Sequence, residues 1–150
     1  MTWGEFAASA PELALEGRRR FRRAGVDQAF LASVRGDGLP RLHPIWVGIV
    51  DDRLYAFLHV SAKSRDLDED GRYALHAHQE PASPTEFELR GRAHRIDDPA
   101  ARSVVAAGWA FEVDDGYQLY EFDIESALIG ARPTADDWPP RYTAWRPDRV

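Results

Sequence analysis

Between Ala29 and Val60 three apolar, β-branched runs follow one another with two tight turns between them: "AFLASVR", "LPRLHPIWVGIV" and "RLYAFLHV". Connections this short join antiparallel neighbours, because a parallel pair needs a crossover of about a dozen residues or more. Asp37-Gly38, within "GDG", is a hairpin signal, since both residues tolerate the positive φ of two-residue turns. The second turn falls at Asp51-Asp52. A three-stranded meander is predicted here, and it sets the class of everything around it.

Further strands are predicted at "RYALHAH", at "TEFELRGRAHRI" with Gly91 marking a bulge or bend, and at "YQLYEFDI" and "SALIGAR" as two last strands. Ser9, Pro11 and Glu12 read as a capped helix start, with Leu13, Gly17, Phe21 and Ala24 on one face and Gly25 as the stop. Asp98 and Pro99 open another helix through Trp109, and a short helical segment over 61–70 ends near Gly71. Helices do not alternate one-for-one with strands, which argues against a doubly wound parallel sheet. The expectation is a mainly β, α+β chain: a six- to seven-stranded antiparallel barrel, whose closure removes exposed edges, with two or three short helices. One domain is expected over residues 1–150: an N-terminal helix over 1–25, the barrel over 26–132 and a tail over 133–150.

The composition, 44% hydrophobic and 29% charged over 150 residues, is that of a chain able to bury a core. The absence of cysteine excludes disulfides, thiolate metal sites and cysteine nucleophiles. A formal net charge of −6 argues against a general nucleic-acid binder, which needs a cationic surface. The five arginines of "RRRFRR" therefore read as the solvated back of the first helix. The start "MTWGEFAASAPELALEG" lacks a cationic region followed by an apolar one, and no apolar run approaches about 18 residues. The expectation is a soluble, cytoplasmic protein with neither membrane nor nucleic acid as partner. "GxxxxGK[ST]", "GxSxG", "HExxH" and "GxGxxG" are all absent, which removes the usual signatures of P-loop, serine, zinc and dinucleotide chemistry.

His76 and His78 would point to the same side of a strand, the geometry of a shared metal, but no third ligand can be assigned and no metal site is expected. The acidic cluster "DLDED", with Asp66, Asp68, Glu69 and Asp70, reads as the water-facing side of a short helix. No catalytic acid or base is assigned.

The stretch "SAKSRDL", residues 61–67, remains. It places Lys63 and Arg65, flanked by Ser61 and Ser64, where a buried strand ends and a helix begins. A helix start presents unpaired backbone N–H groups and the positive end of its dipole, which favour an anion. Arg41, His43 and Ile45 share one face of "PRLHPIW", and that face would look onto the same site if this strand lay beside "RLYAFLHV". Pro44 interrupts the ladder and marks an edge. Two readings stay open from these residues alone: the anchor of a phosphate-bearing, planar cofactor, or an ordinary helix cap with surface charges.

The ordered series "GDGLPRLHPIWV", "DDRLYAFLHVSAKSRDLDEDGRYALHAH" and "EFELRGRAHRIDDP" resembles the pyridoxamine 5′-phosphate oxidase-like family over about residues 26–98. The closing "YTAWRP" resembles the tail of its small members. The resemblance implies an FMN-binding split β-barrel, with the cofactor at a homodimer interface and the flavin carrying out hydride transfer. It further implies that the ring packs along Arg41, Leu42, His43 and Pro44, and that Arg41, Ser61 and Lys63 hold the phosphate with Ser64 and Arg65 beside them. His59 would end the strand under the phosphate, and Trp145 would close the site from the partner subunit. Ala62 stands where the true oxidases carry a basic residue, and "TAWRPDRV" does not match their substrate-binding segment, so oxidation of pyridoxamine phosphate is not implied. Two alternatives accompany FMN. One is the deazaflavin coenzyme, for whose longer acidic tail Arg90, Arg92 and Arg95 would supply cations. The other is non-catalytic flavin or haem binding, with His43 or His59 as the haem ligand.

Overall fold

The computed structural model describes residues 1–148. The chain opens with α1 (Trp3–Ser9) and α2 (Pro11–Phe21), followed by β1 (Arg22–Arg23), β2 (Val26–Val34), β3 (Pro40–Trp46), β4 (Gly48–Val50) and β5 (Arg53–His59). Then come α3 (Ala62–Glu69), β6 (Arg72–His76), β7 (Glu86–Ile96), α4 (Pro99–Ala107), β8 (Tyr117–Ala131) and β9 (Arg141–Trp145). All strand pairs are antiparallel, in the order β1-β2-β6-β7-β8-β5-β4.

The meander is present, but its middle strand is broken. Residues 40–46 pair with β2 and residues 48–50 with β5, and the chain steps from one partner to the other at Val47. The ring is thus bridged by a bend in the chain and not by hydrogen bonds, which makes the barrel split. The local signals explain the turns at either end. Gly38 sits at φ +83, and Asp51 and Asp52 at +47 and +60, the left-handed region that turn residues tolerate.

Leu31, Leu54, Ala56, Leu58, Leu75, Leu89, Tyr120, Phe122 and Ile124 fill the interior, each burial worth roughly 1.5–3 kcal/mol for the larger side chains. Trp3, Phe6 and Phe21 plug one end from α1 and α2, with Phe21 edge-on to Phe87 at 5.3 Å. Strand β5 is buried on both faces. Its Tyr55 and Phe57 point outward into a second cluster with Val105 and Leu119 beneath α4.

Five expectations are corrected. The N-terminal helix over 1–25 is two helices: Ser9 ends α1, Ala10 occupies the N-cap of α2, and the Ser9 hydroxyl instead accepts the Trp145 indole N–H at 2.9 Å. "YQLYEFDI" and "SALIGAR" are one fifteen-residue strand, β8, which serves β5, β7 and β9. The tail contributes strand β9, while Arg149 and Val150 lie outside the described residues. The counts consequently rise to nine strands and four helices among the described residues. Arginines 20, 22 and 23 are more than a solvated helix back. They pair with Glu16, Asp27 and Glu80 and tie α2 to the sheet and to the loop beyond β6.

Candidate functional site

Helix α3 starts where β5 leaves the core. Ser61 is its N-cap, and the cap is reciprocal: the Ser64 amide donates to Ser61 Oγ at 3.5 Å and the Ser61 amide to Ser64 Oγ at 2.8 Å. The two serines therefore satisfy one another. The amides of Ala62 and Lys63 make no hydrogen bond among the described residues, nor does the half-exposed Lys63 ammonium or the exposed Arg65 guanidinium. Two free N–H groups, a helix dipole and the unpaired Lys63 ammonium belong to one helix start, with Arg65 exposed two residues on, which is the chemistry of an anion site.

The helix is held from both sides. Asp66, only 6% exposed, accepts from Ser33 Oγ at 2.9 Å and from Arg41 Nε at 2.7 Å, while Leu67 enters the core. On the other flank the Tyr120 hydroxyl donates within reach of Asp68 Oδ1 at 3.0 Å and the Ser64 carbonyl at 3.3 Å. Burial, and then the Asp68 carboxylate, hold the Tyr120 hydroxyl well above the usual tyrosine range, so it stays a donor. The reading of "DLDED" as wholly water-facing is thus overturned for Asp66, which is a buried staple, while Asp68 stays exposed and also accepts the Tyr120 phenol. The one sequence cue was Leu67: as the large apolar residue of the helix it marks the inward face, on which Ser64 lies three residues earlier.

The expected residues fall into three places. Ser61, Lys63, Ser64 and Arg65 form the junction itself, with His59 exposed just before it and stacked on Tyr117 at 3.8 Å. Arg41 reaches α3, but not through a pairing of β3 with β5: β3 pairs with β2, and the guanidinium arrives through Asp66. Its charge is matched there by a carboxylate, so it adds less to an anion site than Lys63 does. His43 is half-buried on the same face, whereas Leu42 and Pro44 lie on the opposite, exposed face of this edge strand. Trp145 lies elsewhere in the chain. It pairs with Ala127 and packs on Phe6, while His59 pairs with Tyr117, about 30 Å away along β8. Within one protomer it does not join Ser61–Arg65.

An open groove of about 590 Å³ lies at the other end of α3, lined by Asp68, Asp70, Asp97 and Asp123 with Arg92, His94 and Arg95. Those cations face carboxylates already, and the net negative lining suits no phosphate.

His76 and His78 do not converge on a metal: among the described residues no group of three or more His, Asp or Glu side chains is placed to hold one. His78 stacks on Phe30 at 4.1 Å with its Nε2 buried and without a partner. Burial, and secondarily Arg23, lowers its pKa below 6.5. The unfolded chain then takes up the proton first, so this contribution to stability is whole above pH 6.5 and lost as pH falls through the lowered native value. His78→Phe keeps the stack and removes the orphaned nitrogen. The variant is expected to match or exceed the parent melting temperature at neutral pH and to lose less of it on acidification. Melting curves across pH check this, and an unchanged acid slope would count against it.

No protein-family model matches the chain, and no curated protein sequence matches it. Among solved structures it is similar to a protein related to general stress protein 26, of the pyridoxinephosphate oxidase family, from Clostridium acetobutylicum. The TM-score there is 0.63, at 12% identity over 95% of each chain. It is similar to PhzG from Burkholderia lata, solved with tetrahydrophenazine-1-carboxylic acid, at TM-score 0.59, 17% identity and coverage of 97% and 93%. The fold is the pyridoxamine-phosphate-oxidase-like split barrel. A heme binding protein from Mycobacterium smegmatis shares this split barrel at TM-score 0.62 and 15% identity over 87% of this chain, which spans 57% of that protein's length. At such identities the likeness speaks for the split barrel and leaves the ligand to the residues of the site.

Proposed function

We propose that the β5–α3 junction binds the phosphate of FMN and that the protein is a flavin-dependent oxidoreductase. One observation carries this reading: the free amides of Ala62 and Lys63 lie beside the unpaired Lys63 ammonium, on a helix whose cap serines already satisfy each other. Lys63 and the two amides hold the phosphate, Arg65 adds charge from the next turn, and Arg41 is a neighbour braced by Asp66. The flavin, when bound, supplies hydride transfer to or from a small molecule, so the protein's part is to orient and to exclude water. The outer face of β3, with Leu42, Pro44 and Trp46 exposed on the side opposite Arg41, supports a second copy of the chain closing over the ring. Trp145 of a partner would then approach from its own tail.

The exposed imidazole of His59 favours haem as the competing ligand, and the heme binding neighbour adds to the case for testing it. The deazaflavin reading loses support because Arg90, Arg92 and Arg95 are matched by Glu88, Glu125 and the Asp68–Asp97 pair. Absorption spectra with FMN, deazaflavin coenzyme or haem added in turn separate the three. Lys63→Ala is expected to weaken FMN binding by about ten- to a hundredfold, the loss of one charge-assisted hydrogen bond of roughly 1.5–3 kcal/mol. Retention of parental FMN affinity in that variant, measured by flavin fluorescence, would refute the phosphate assignment.

A further inference from the structure

Four aromatic rings run in sequence away from the anion site. His59 stacks on Tyr117 at 3.8 Å, Tyr117 contacts Phe111 at 5.1 Å, and Phe111 contacts Trp46 at 5.3 Å. The two end members are open to solvent: His59 is exposed and Trp46 is 40% exposed on the outer face of the edge strand. The middle two are half-buried, backed by Phe57 and Trp109. The strip therefore begins at the residue two before the Ser61 cap and ends on the strand that the resemblance assigns to a cofactor ring.

The segment between α4 and β8, residues 108–116, is built to present these rings. Arg102 fixes it by donating to the carbonyls of Asp114 at 2.7 Å and Tyr117 at 2.5 Å, and the Asp114 carboxylate accepts the Gly116 amide at 2.8 Å. Two glycines leave room for close approaches. A Cβ on Gly116 would come within 3.1 Å of the His59 ring, and one on Gly48 within 2.5 Å of the Trp109 ring. A loop tied at its β8 end, with its aromatic residues packed on one another along an exposed rim, is a preorganised stacking surface, since side-chain freedom that would be lost on binding is already reduced.

We propose that the rim Trp46–Phe111–Tyr117–His59 stacks the planar ring of the ligand whose phosphate Lys63 and the α3 amides hold. The occupant is a flat aromatic system with an anionic arm, the arm pointing to Ser61 and the ring to β3. This rests on the FMN reading above and extends it to Trp46 and to two residues, Phe111 and Tyr117, that lie outside the series resembling the family. Stacking is tolerant of ring identity because every aromatic ring presents a π face, whereas the anion site selects for charge.

Binding of FMN and of inorganic phosphate, measured separately, tests the proposal on the intact chain and on His59→Leu, Trp46→Leu and Lys63→Ala. The two rim residues are exposed, so leucine at either position leaves the core untouched. Each rim variant is expected to weaken FMN by about five- to tenfold, the scale of one lost stacking contact, and to leave phosphate affinity unchanged. Lys63→Ala is expected to weaken both ligands. In the parent, FMN should quench tryptophan emission, and Trp46→Leu should lose part of that quenching. If the parent binds FMN and both rim variants bind it equally well, the rim proposal is overturned and the phosphate site stands. If the parent binds no FMN, both fall together.

Discussion

Gly91→Ala is expected to destabilise the protein by about 3 kcal/mol or more, at the upper end of overpacking penalties. The added Cβ would lie 1.9 Å from the Asp123 carbonyl oxygen and 3.1 Å from the Glu125 amide nitrogen, both backbone atoms that cannot rotate away. The crowding has a cause in the sheet. Arg90 pairs with Ser126 and Gly91 with Ile124, so Glu125 is the extra residue of a bulge, and β8 arches over β7 at that point. The Asp123 carbonyl is further fixed by the buried Tyr73 hydroxyl, which donates to it at 3.1 Å. For a chain of this length 3 kcal/mol corresponds to a fall in melting temperature of roughly 10 °C. Gly91→Val should not yield soluble protein. A melting temperature for Gly91→Ala within a degree or two of the parent would show that β8 yields at the bulge.

Arg41→Ala is expected to cost about 2–3 kcal/mol, more than a half-exposed arginine normally contributes. The cost arises at Asp66, whose side chain is 8% exposed and would keep only the Ser33 hydroxyl as a partner. Asp66→Ala should cost less, because Arg41, 28% exposed, can turn toward water. Adding Asp66→Asn to Arg41→Ala removes the stranded charge while keeping an acceptor for Ser33, and should restore most of the loss. Denaturant titration of the parent, Arg41→Ala, Asp66→Asn and the double variant forms a double-mutant cycle. Additive effects across it would mean that the pair is not coupled. The cycle also guards the ligand experiments, because a binding defect in Arg41→Ala alone would mix a lost contact with a loosened α3.

The parts of the fold that were legible in the sequence are those fixed by short-range chemistry. Asp37-Gly38, the Asp98–Pro99 helix start, the Gly71 stop and the Gly91 bulge each depend on a few neighbouring residues, and each lies where it was expected. Errors came where strand runs meet no local signal. Nothing between Ile45 and Gly48 marks a change of partner, and nothing between Asp123 and Ser126 marks continuity, because both are decided by which strand lies alongside. Strand β9 was hidden in a proline- and tryptophan-rich tail whose pairing edge exists only once β8 is in place. At the candidate site, the reciprocal Ser61–Ser64 cap lies within four residues and was readable as a helix start. The Asp66–Arg41–Ser33 cluster joins positions 25 and 33 residues apart and was not. The aromatic rim was invisible for the same reason: its members come from β3, the loop after α4, β8 and the end of β5.

The edge strand β3 carries prolines at positions 40 and 44, on the same face as Leu42 and Trp46. Its seven-rung ladder with β2 is continuous, so the donors that proline lacks belong to the side turned away from β2. That free edge is left with the amides of Leu42 and Trp46, spaced too far apart to seed a regular ladder. Growth of one sheet from molecule to molecule is thereby blocked at the place where apolar side chains would otherwise invite it. Any association through this strand must be made by side chains meeting face to face, and where that face meets its own copy about a two-fold axis the contact closes at two molecules.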